Sequence, residues 1–384
     1  MTDSYRPTWA EIDTSAVTAN VALLCRLVAP ARLCAVVKAD GYGHGSVAVS
    51  RAALAGGAAM LAVAHVEEAV TLREAGVDAP VLLLTEAPPD GIGDFCAIGG
   101  TPTVYSEPGI ALAAGAAARL GRQVAVHLKV DTGMHRVGAD AADVPALAAS
   151  VASSGPLSLG GLWTHFATAD NLDDAFTATQ IDRFDSAVEA VRAAGCSPPV
   201  LHAANSAGAI AHPAGRYDLV RCGIACYGYA PSVQVGRVLA GLVGPGEALC
   251  PALSLKSRVH RTTRLAAGER TSYGRNYELA ADALVATVPI GYADGLRRAL
   301  GAAGGEVLIG ARRRRIAGTV TMDQLLVDCG ADDVRAGDEV VLIGRQGGEE
   351  IAADEWAERL GTIVYEVLCG IGPRVPRRVV ERRP

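Results

Sequence analysis

The sequence predicts an α/β fold class, an N-terminal (β/α)8 TIM-like barrel with a C-terminal mostly-β domain. Short apolar runs alternate with Ala-rich helical stretches from about residue 33 to 235. Eight such runs can be counted, and eight alternating strand–helix units are what a barrel requires. Beyond about residue 248, strand-like segments follow one another with short turns between them, which is typical of a separate β domain.

The eight apolar runs define the predicted barrel strands. They span residues 33–38, 60–65, 80–85, 102–105, 123–130, 159–166, 199–205 and 218–223. Between them, segments such as 66–75 and 177–194 have the spacing of amphipathic helices. An open, doubly wound sheet remains a second possibility, because a strand count does not prove that the sheet closes.

The predicted β domain begins after the last helical stretch. Its strand-like segments are "ALSLKSRVHRTTRL", "ALVATVPIGYADG", "GEVLIGARRRRIAGTV", "QLLVDCG" and "DEVVLIG". Near the N-terminus, "TWAEID" alternates apolar and polar residues as a half-buried strand does. We therefore expect residues 1–13 to join the β domain, residues 14–245 to form the barrel and residues 246–384 to form the β domain.

Composition excludes several classes of protein. Half of the 384 residues are apolar, which is enough for a large core and excludes general disorder. The formal net charge of −6 gives no reason to expect a nucleic-acid or membrane partner. The basic run Arg312–Arg315 lacks the aromatic or Gly motif of a nucleic-acid site, so a solvated hairpin is the simpler interpretation.

Cysteine usage and the N-terminus bear on the compartment. Nine cysteines are scattered without pairing or zinc-ligand spacing, which favours free thiols in a reducing compartment and no metal site. The first thirteen residues are polar and contain no apolar signal segment. We therefore expect a cytoplasmic protein.

A lysine at the end of the first predicted barrel strand is the first candidate for chemistry. Catalytic groups of barrels cluster at the carboxyl ends of the strands. Lys38 follows an apolar run and precedes the Gly-rich "ADGYGHG". Apolar surroundings favour a neutral, nucleophilic amine. Taken alone, a strand-end lysine that reaches solvent is the commoner case, but the glycines would let the backbone approach a ligand closely.

The loops after the seventh and eighth strands indicate a phosphate site. Barrels commonly bind phosphate there, and this chain offers the Ser206 hydroxyl and the N–H groups of Gly223 and Ile224. Asn205 and Ser206 could instead simply cap the next helix. A strand-end lysine opposite a phosphate site suggests a phosphorylated aldehyde cofactor bound as a Schiff base.

Eight motifs follow one another along the chain: "AVVKADGYGHG", "HLKVDTGMHRVG", "WTHFA", "HAANS", "VRCGIACYGYAPS", "TSYGRNY", "PIGYADG" and "TMDQ". Taken together and in this order, they resemble the bacterial alanine racemases, which are fold-type III pyridoxal 5′-phosphate enzymes. The resemblance covers nearly the whole chain. It implies a cytoplasmic homodimeric isomerase that interconverts L- and D-alanine and supplies D-alanine for peptidoglycan synthesis.

The resemblance also implies roles for individual residues. Lys38 would carry the cofactor and act as one catalytic base, and Tyr273 of the partner subunit would be the other. Arg221 would face the pyridine nitrogen, supported by His165 and His202. The residues implied to hold the cofactor are Lys38, Tyr42, Arg136, His165, Asn205, Ser206, Arg221, Gly223, Ile224 and Tyr365. Those implied to contact substrate are Arg136, Met322, Tyr292 and Asp323.

Two further sequence positions bear on the expected site, and two alternative functions remain open. Resemblance suggests that Lys129 is carbamylated and orients Arg136, with an unmodified lysine as the competing interpretation. Thr321 stands where relatives often have Cys, which affects the shape of the pocket. The alternative functions are a racemase of another or several amino acids, such as serine, and a non-catalytic barrel that binds pyridoxal phosphate. The latter would need neither Tyr273 nor Arg136.

Overall fold

The computed structural model describes residues 5–381. By their contacts these residues form two compact units. One, here called the barrel unit, comprises Ala16–Gly41 and Ser46–Cys250. The other, here called the β unit, comprises the described residues up to Ser15, the short segment Tyr42–Gly45, and the chain from Pro251 onward.

Twenty strands and twelve helical segments are numbered here in chain order. The strands are β1 (Thr8–Asp13), β2 (Arg32–Val36), β3 (Met60–Val63), β4 (Val81–Leu83), β5 (Thr103–Val104), β6 (Val124–Lys129), β7 (Leu157–Trp163), β8 (Leu201–His202), β9 (Leu219–Cys222), β10 (Leu253–Arg258), β11 (Arg261–Leu265), β12 (Arg270–Thr271), β13 (Tyr277–Glu278), β14 (Ala283–Val288), β15 (Glu306–Ile309), β16 (Arg312–Arg315), β17 (Leu325–Asp328), β18 (Glu339–Gln346), β19 (Glu349–Ile351) and β20 (Arg377–Val380). The helical segments are α1 (Thr14–Val28), α2 (Lys38–Tyr42, whose residues 39–41 have left-handed backbone and form a turn rather than an α-helix), α3 (Ser46–Ala55), α4 (Val66–Glu74), α5 (Ile92–Ala97), α6 (Glu107–Leu120), α7 (Val144–Ser153), α8 (Phe176–Ala193), α9 (Ser206–Ala211), α10 (Val233–Leu242), α11 (Ala353–Leu360) and α12 (Val364–Cys369).

The eight parallel strands β2 to β9 of the barrel unit form a closed ring. Strands β4, β3, β2 and β9 pair in that order, as do β5, β6, β7 and β8. Leu82 bridges Thr101 at one junction of the two sheets. At the other junction the Arg221 N–H donates to the Ala204 carbonyl at 2.9 Å. The ring confirms the barrel prediction, and the open doubly wound alternative is wrong.

Apolar side chains fill both faces of the barrel strands. Such burial is why parallel strands appear in sequence as continuous apolar runs rather than alternating ones. Each of the eight predicted runs overlaps an observed strand, although β5 and β8 are only two residues long. Fully or nearly fully buried strand residues include Leu33, Leu61, Leu82, Val104, Val126, Leu162 and Val220.

Side-chain caps set where several barrel helices begin. The Ser106 and Ser232 hydroxyls accept the N–H groups of Gly109 and Val235, at the starts of α6 and α10. Satisfying an otherwise unpaired helical N–H in this way typically contributes about 1 kcal/mol. The same arrangement recurs after β8, where it bears on the candidate site.

The β unit contains a seven-stranded sheet in the order β16-β15-β18-β10-β1-β20, with β19 paired to β18. β1 pairs antiparallel with β10 and parallel with β20. A three-stranded sheet, β11-β14-β17, and the β12–β13 hairpin complete its strands. The basic run Arg312–Arg315 forms β16, which pairs with β15 as a hairpin. Arg314 is not solvated: it is buried and donates to the Cys329 carbonyl at 2.9 Å.

Three further observations concern residues 5–381. None of the helices in this range is both long and apolar enough to cross a bilayer. All nine cysteines are free thiols. Within the same range, no three His, Cys, Asp or Glu side chains are grouped so that they could hold a metal ion.

Candidate active site

The candidate residues of the barrel unit lie where the strands end. Lys38 follows β2, Lys129 ends β6 and His165 follows β7, while Ser206 and Gly223 follow β8 and β9. Carboxyl ends of parallel strands meet at one face of a barrel. The fold therefore gathers side chains that are up to 185 residues apart in sequence.

Arg221 is the centre of a buried network. Only 2% of it is exposed. Its Nη2 donates to the carbonyls of Thr164 (2.7 Å) and Ala203 (2.9 Å), and its Nη1 lies 2.8 Å from His202 Nδ1. The guanidinium also lies over the ring of Trp163, with Cζ 4.4 Å from the ring centroid. These contacts use both terminal nitrogens of the guanidinium and fix its plane.

The histidines around Arg221 are neutral hydrogen-bond acceptors. A guanidinium has donors only, so His202 Nδ1 must accept and its proton must be on Nε2. That proton in turn points to His127 Nδ1, 2.9 Å away. Burial and the Arg221 charge hold the pKa of His202 well below 6.5 and lower that of His127 to about 4. His165, 3.2 Å from Nη2, has its pKa lowered well below 6.5 for the same reasons.

Three further basic side chains lie near this network. Besides Arg221, the charges of Lys129, Arg136 and Lys38 each lower the pKa of His165, which places all four near it. Burial, followed by the Arg221 and Arg136 charges, lowers the pKa of Lys129 to about 7. The Lys129 amine lies 4.3 Å from the Trp163 ring centroid. Such an excess of positive charge, in a place where desolvation is costly, favours anionic ligands.

The loops after β8 and β9 meet through Ser206. Its buried hydroxyl accepts the Gly223 N–H at 2.9 Å. Ile224 begins a 3₁₀ turn (Ile224–Tyr227), so its N–H has no partner within that turn. Asn205 caps α9, its side chain accepting the Gly208 N–H at 3.0 Å. Asn205 thus performs the capping expected as the alternative to ligand binding, whereas Ser206 joins the two loops.

The β unit carries the other candidates. Tyr42 is buried, and its ring centroid is 6.0 Å from that of Tyr365. Tyr273 is 71% exposed and borders a cavity of about 340 Å³ that Thr321 also lines. The described chain therefore leaves this phenol open on one side.

Two loops of the β unit pack backbone against backbone. The 291–295 loop carries Tyr292, and the 321–323 loop carries Met322 and Asp323. The Tyr292 N–H donates to the Thr321 carbonyl (2.9 Å) and the Ala293 N–H to the Met322 carbonyl (3.0 Å). A Cβ on Gly291 would lie 2.3 Å from the Thr321 oxygen, so only glycine permits this approach. Arg374 binds Asp323 at 2.7 Å and the buried Asp294 at 3.3 Å, which anchors the second loop.

Sequence reasoning missed two members of the barrel network, His127 and Trp163. A usable signal existed for His127. It lies two residues before Lys129, and residues at i and i+2 of a strand point to the same face. Two polar residues with that spacing in a strand buried on both sides indicate an interior site. No comparable signal marks Trp163, whose ring is an ordinary core residue in sequence.

Comparison with known proteins extends over the whole fold. The family model "Alanine racemase, N-terminal domain" matches residues 12–231, and "Alanine racemase, C-terminal domain" matches residues 252–379. The chain is 47% identical to the alanine racemase of Symbiobacterium thermophilum over 377 residues, covering 98% of this chain and 97% of that one.

Solved structures give the same result. The alanine racemase of Streptomyces coelicolor A3(2) superposes with a TM-score of 0.92 at 36% identity, covering all of both chains. The histidine racemase of Leuconostoc mesenteroides subsp. sake superposes with a TM-score of 0.86 at 28% identity, covering 98% of this chain and 99% of that one. Both family models and the full-length relatives agree, and the chain belongs to the alanine racemase family.

Proposed function

We propose that this protein interconverts L- and D-alanine with pyridoxal 5′-phosphate bound covalently at Lys38, and that it supplies D-alanine for peptidoglycan. The observation that carries the proposal is the cluster of basic side chains at the strand ends, in which the charges of Lys38 and of the anchored Arg221 guanidinium both act on His165. Full-length similarity to proteins named alanine racemase supports the choice of substrate.

The candidate residues fit this cofactor. The Ser206 hydroxyl and the N–H groups of Gly223 and Ile224 suit a phosphate, and Tyr42 and Tyr365 would add hydroxyls. Arg221 keeps its Nε–H for a ring nitrogen, because its contacts within residues 5–381 use Nη1 and Nη2. When bound, the cofactor acidifies the Cα hydrogen of an attached amino acid by spreading negative charge into its ring.

Arg221 would donate to the pyridine nitrogen without protonating it. Burial lowers the pKa of Arg221 to about 10, which still leaves it fully charged near pH 7. A pyridine nitrogen is far less basic, so the proton stays on the guanidinium. The ring would remain a weaker acceptor of electrons, which disfavours transamination.

Racemisation needs a base on each face of Cα. In this proposal Lys38 Nζ exchanges a proton on one face, and the phenol of Tyr273 from the partner subunit does so on the other. The 71% exposure of Tyr273 in a single chain supports its use by a second chain. A two-fold homodimer would contain two such sites.

Arg136 and the Met322 backbone would place the substrate carboxylate, with Tyr292 and Asp323 at the entrance. The charge of Arg136 acts on both Lys129 and His165, which supports a position at the cluster. A carbamate on Lys129 would orient Arg136 by charge. The backbone contacts between the 291–295 and 321–323 loops would keep the entrance residues in register.

The small number of lysines allows the residue that carries the cofactor to be identified directly. The sequence has three lysines, Lys38, Lys129 and Lys256. Lys256 is held by Glu11 and Glu339 in the β unit. Borohydride reduction of the cofactor-loaded protein and peptide mapping should place the pyridoxyl group on Lys38. Lys38→Arg should abolish labelling and Lys256→Arg should not; a label on Lys129 or Lys256, or none, would refute the assignment.

A racemase of another amino acid is the second candidate, which the similarity to a histidine racemase favours. Loss of optical rotation should be measured with L-alanine, L-serine and L-histidine at equal concentration. Alanine should be the preferred substrate by kcat/KM. Cofactor binding without racemisation of any of the three would instead indicate a non-catalytic binding protein.

A further inference from the structure

The residues after Lys38 form a left-handed turn. The φ and ψ angles are 54° and 49° at Ala39, 52° and 47° at Asp40, and 62° and 46° at Gly41. Left-handed backbone costs a residue other than glycine about 1–2 kcal/mol. Ala39 and Asp40 therefore keep this conformation only because neighbouring groups hold them in it.

The Glu68 carboxylate holds the first peptide of this turn. Its Oε1 accepts the Ala39 N–H at 2.6 Å, and its Oε2 accepts the N–H groups of Ala64 (2.8 Å) and His65 (3.1 Å). Glu68 is the third residue of α4, so its contact with His65 is half of a capping box. The contact with Ala39 lies outside that motif. It ties the turn after β2 to the start of the helix after β3.

Other contacts fix the same segment on its remaining sides. Before the lysine, the Val37 N–H donates to the Ala62 carbonyl at 2.9 Å. After it, Asp40 Oδ1 accepts the Ser46 N–H at 2.8 Å. A Cβ on Gly41 would lie 2.6 Å from Val49 Cγ2, so the turn packs directly on α3. The Ala39 N–H belongs to the peptide that Lys38 itself forms, so Glu68 holds the peptide directly next to the lysine.

We propose that Glu68 is a positioning residue for Lys38. By holding the Ala39 N–H it fixes the left-handed turn, and the turn sets the direction in which the lysine leaves the barrel strand. A displaced Nζ would react slowly with an aldehyde, because small misplacements of a reacting group lower rates strongly. The proposal rests on the proposed function, in which Lys38 binds the cofactor.

Glu68→Gln tests the role, with Glu67→Gln as the matched control. Glu67 lies in the same helical turn, is exposed and loses the same charge. Apoprotein is mixed with pyridoxal phosphate, and formation of the borohydride-reducible bond is timed. Glu68→Gln should slow it about tenfold or more and lower kcat with little change in KM. It should also speed amide hydrogen exchange in residues 39–45. Glu67→Gln should match the wild type in each measurement.

A glycine background separates positioning from general stability. Glycine adopts φ near +54° without penalty, so Ala39→Gly should reduce the dependence on Glu68. The slowing caused by Glu68→Gln should be smaller in Ala39→Gly than in the wild-type background. If Glu68→Gln does not fold, Glu68→Asp, which keeps the charge but shortens the reach, carries the same expectations.

Four results would overturn or redirect the proposal. Equal slowing in both backgrounds, or behaviour identical to Glu67→Gln, would show that Glu68 does not act through the turn. Unchanged hydrogen exchange would show that it does not hold the turn. A wild-type label on a lysine other than Lys38 would instead refute the proposed function, while the exchange measurement would still report on Glu68 and Ala39.

Discussion

Replacing Lys129 should make the ligand-free protein more stable, and increasingly so as the pH falls from 10 to 7. Lys129 is 3% exposed, and burial with neighbouring positive charges lowers its pKa from 10.5 to about 7. In this interval the unfolded chain binds the proton and the folded chain does not, so stability rises with pH. A difference of 3.5 pKa units corresponds to about 5 kcal/mol, at 1.36 kcal/mol per unit.

The measurement is urea unfolding of the wild type and Lys129→Met at several pH values without dissolved CO2. Met has a similar length and can remain on Trp163, which limits the loss of packing. The variant should be more stable by about 4 kcal/mol at pH 7, where Lys129 is half protonated in the folded chain, and by about 2 kcal/mol at pH 9. A pH-independent difference, or a variant less stable than the wild type at pH 7, would refute this reasoning.

The same protein tests the carbamate. The neutral amine adds CO2 and releases a proton, which converts an uncharged group into an anion near Arg136, Arg221 and Lys38. Bicarbonate should therefore stabilise the wild type and add the mass of one CO2 in native mass spectrometry. Lys129→Met should show neither effect. An unmodified wild-type mass in bicarbonate would favour a plain lysine at this position.

Three more predictions concern single positions. Arg221→Glu should lower kcat about 100-fold or more and raise the share of turnovers that end in transamination; unchanged partitioning would refute the role of Arg221. Lys38→Ala and Tyr273→Phe homodimers should each be nearly inactive. Mixing the two variants, with subunit exchange confirmed, should restore roughly a quarter of wild-type activity, because half of the dimers are hybrids in which one of the two sites is intact. No recovery of activity would mean that both residues act within one chain. Gly291→Ala should destabilise the protein by about 1–3 kcal/mol in urea unfolding, because the added Cβ would meet backbone oxygens at 2.3 and 2.4 Å. Gly348→Ala, whose added Cβ would meet nothing within 4 Å, should have little effect. Equal destabilisation by the two substitutions would contradict the packing argument.

Much of the barrel was predictable because burial on both faces leaves a plain signal. The run at 33–38 predicts β2 and places Lys38 at its end, and Gly-rich sequence after it indicates a bend. The conformation of that bend was not predictable. "ADGYG" suggests flexible glycines, whereas the left-handed residues include Ala39, Asp40 and Tyr42. Contacts such as that of Glu68 with Ala39, 29 residues apart, decide it.

Short strands and helix caps show a second limit of sequence reasoning. The run at 199–205 is seven residues long, yet β8 is only Leu201–His202. Asn205 belongs to the cap of α9, since its side chain accepts the Gly208 N–H. Apolar character alone cannot show where a strand stops and a cap begins, because both states bury the intervening alanines.

The net charge of the chain does not reveal the charge of the candidate site, which depends on where the basic residues lie in the fold. The chain carries a formal net charge of −6, yet the strand ends collect Lys38, Lys129, Arg136 and Arg221 around one neutral histidine. Asp131 is the carboxylate that opposes them at Lys129. Lys129 and Arg221 are buried, whereas Lys38 is half-buried and Arg136 is exposed. Keeping a positive charge on both buried groups is unfavourable unless an anion joins them. The positive potential at the strand ends would therefore favour an anion such as a phosphate, a phenolate, a substrate carboxylate or a carbamate. Because the imidazoles beside Arg221 are neutral, no side-chain anion within residues 5–381 pairs with it there, and it would remain free to donate to a bound cofactor.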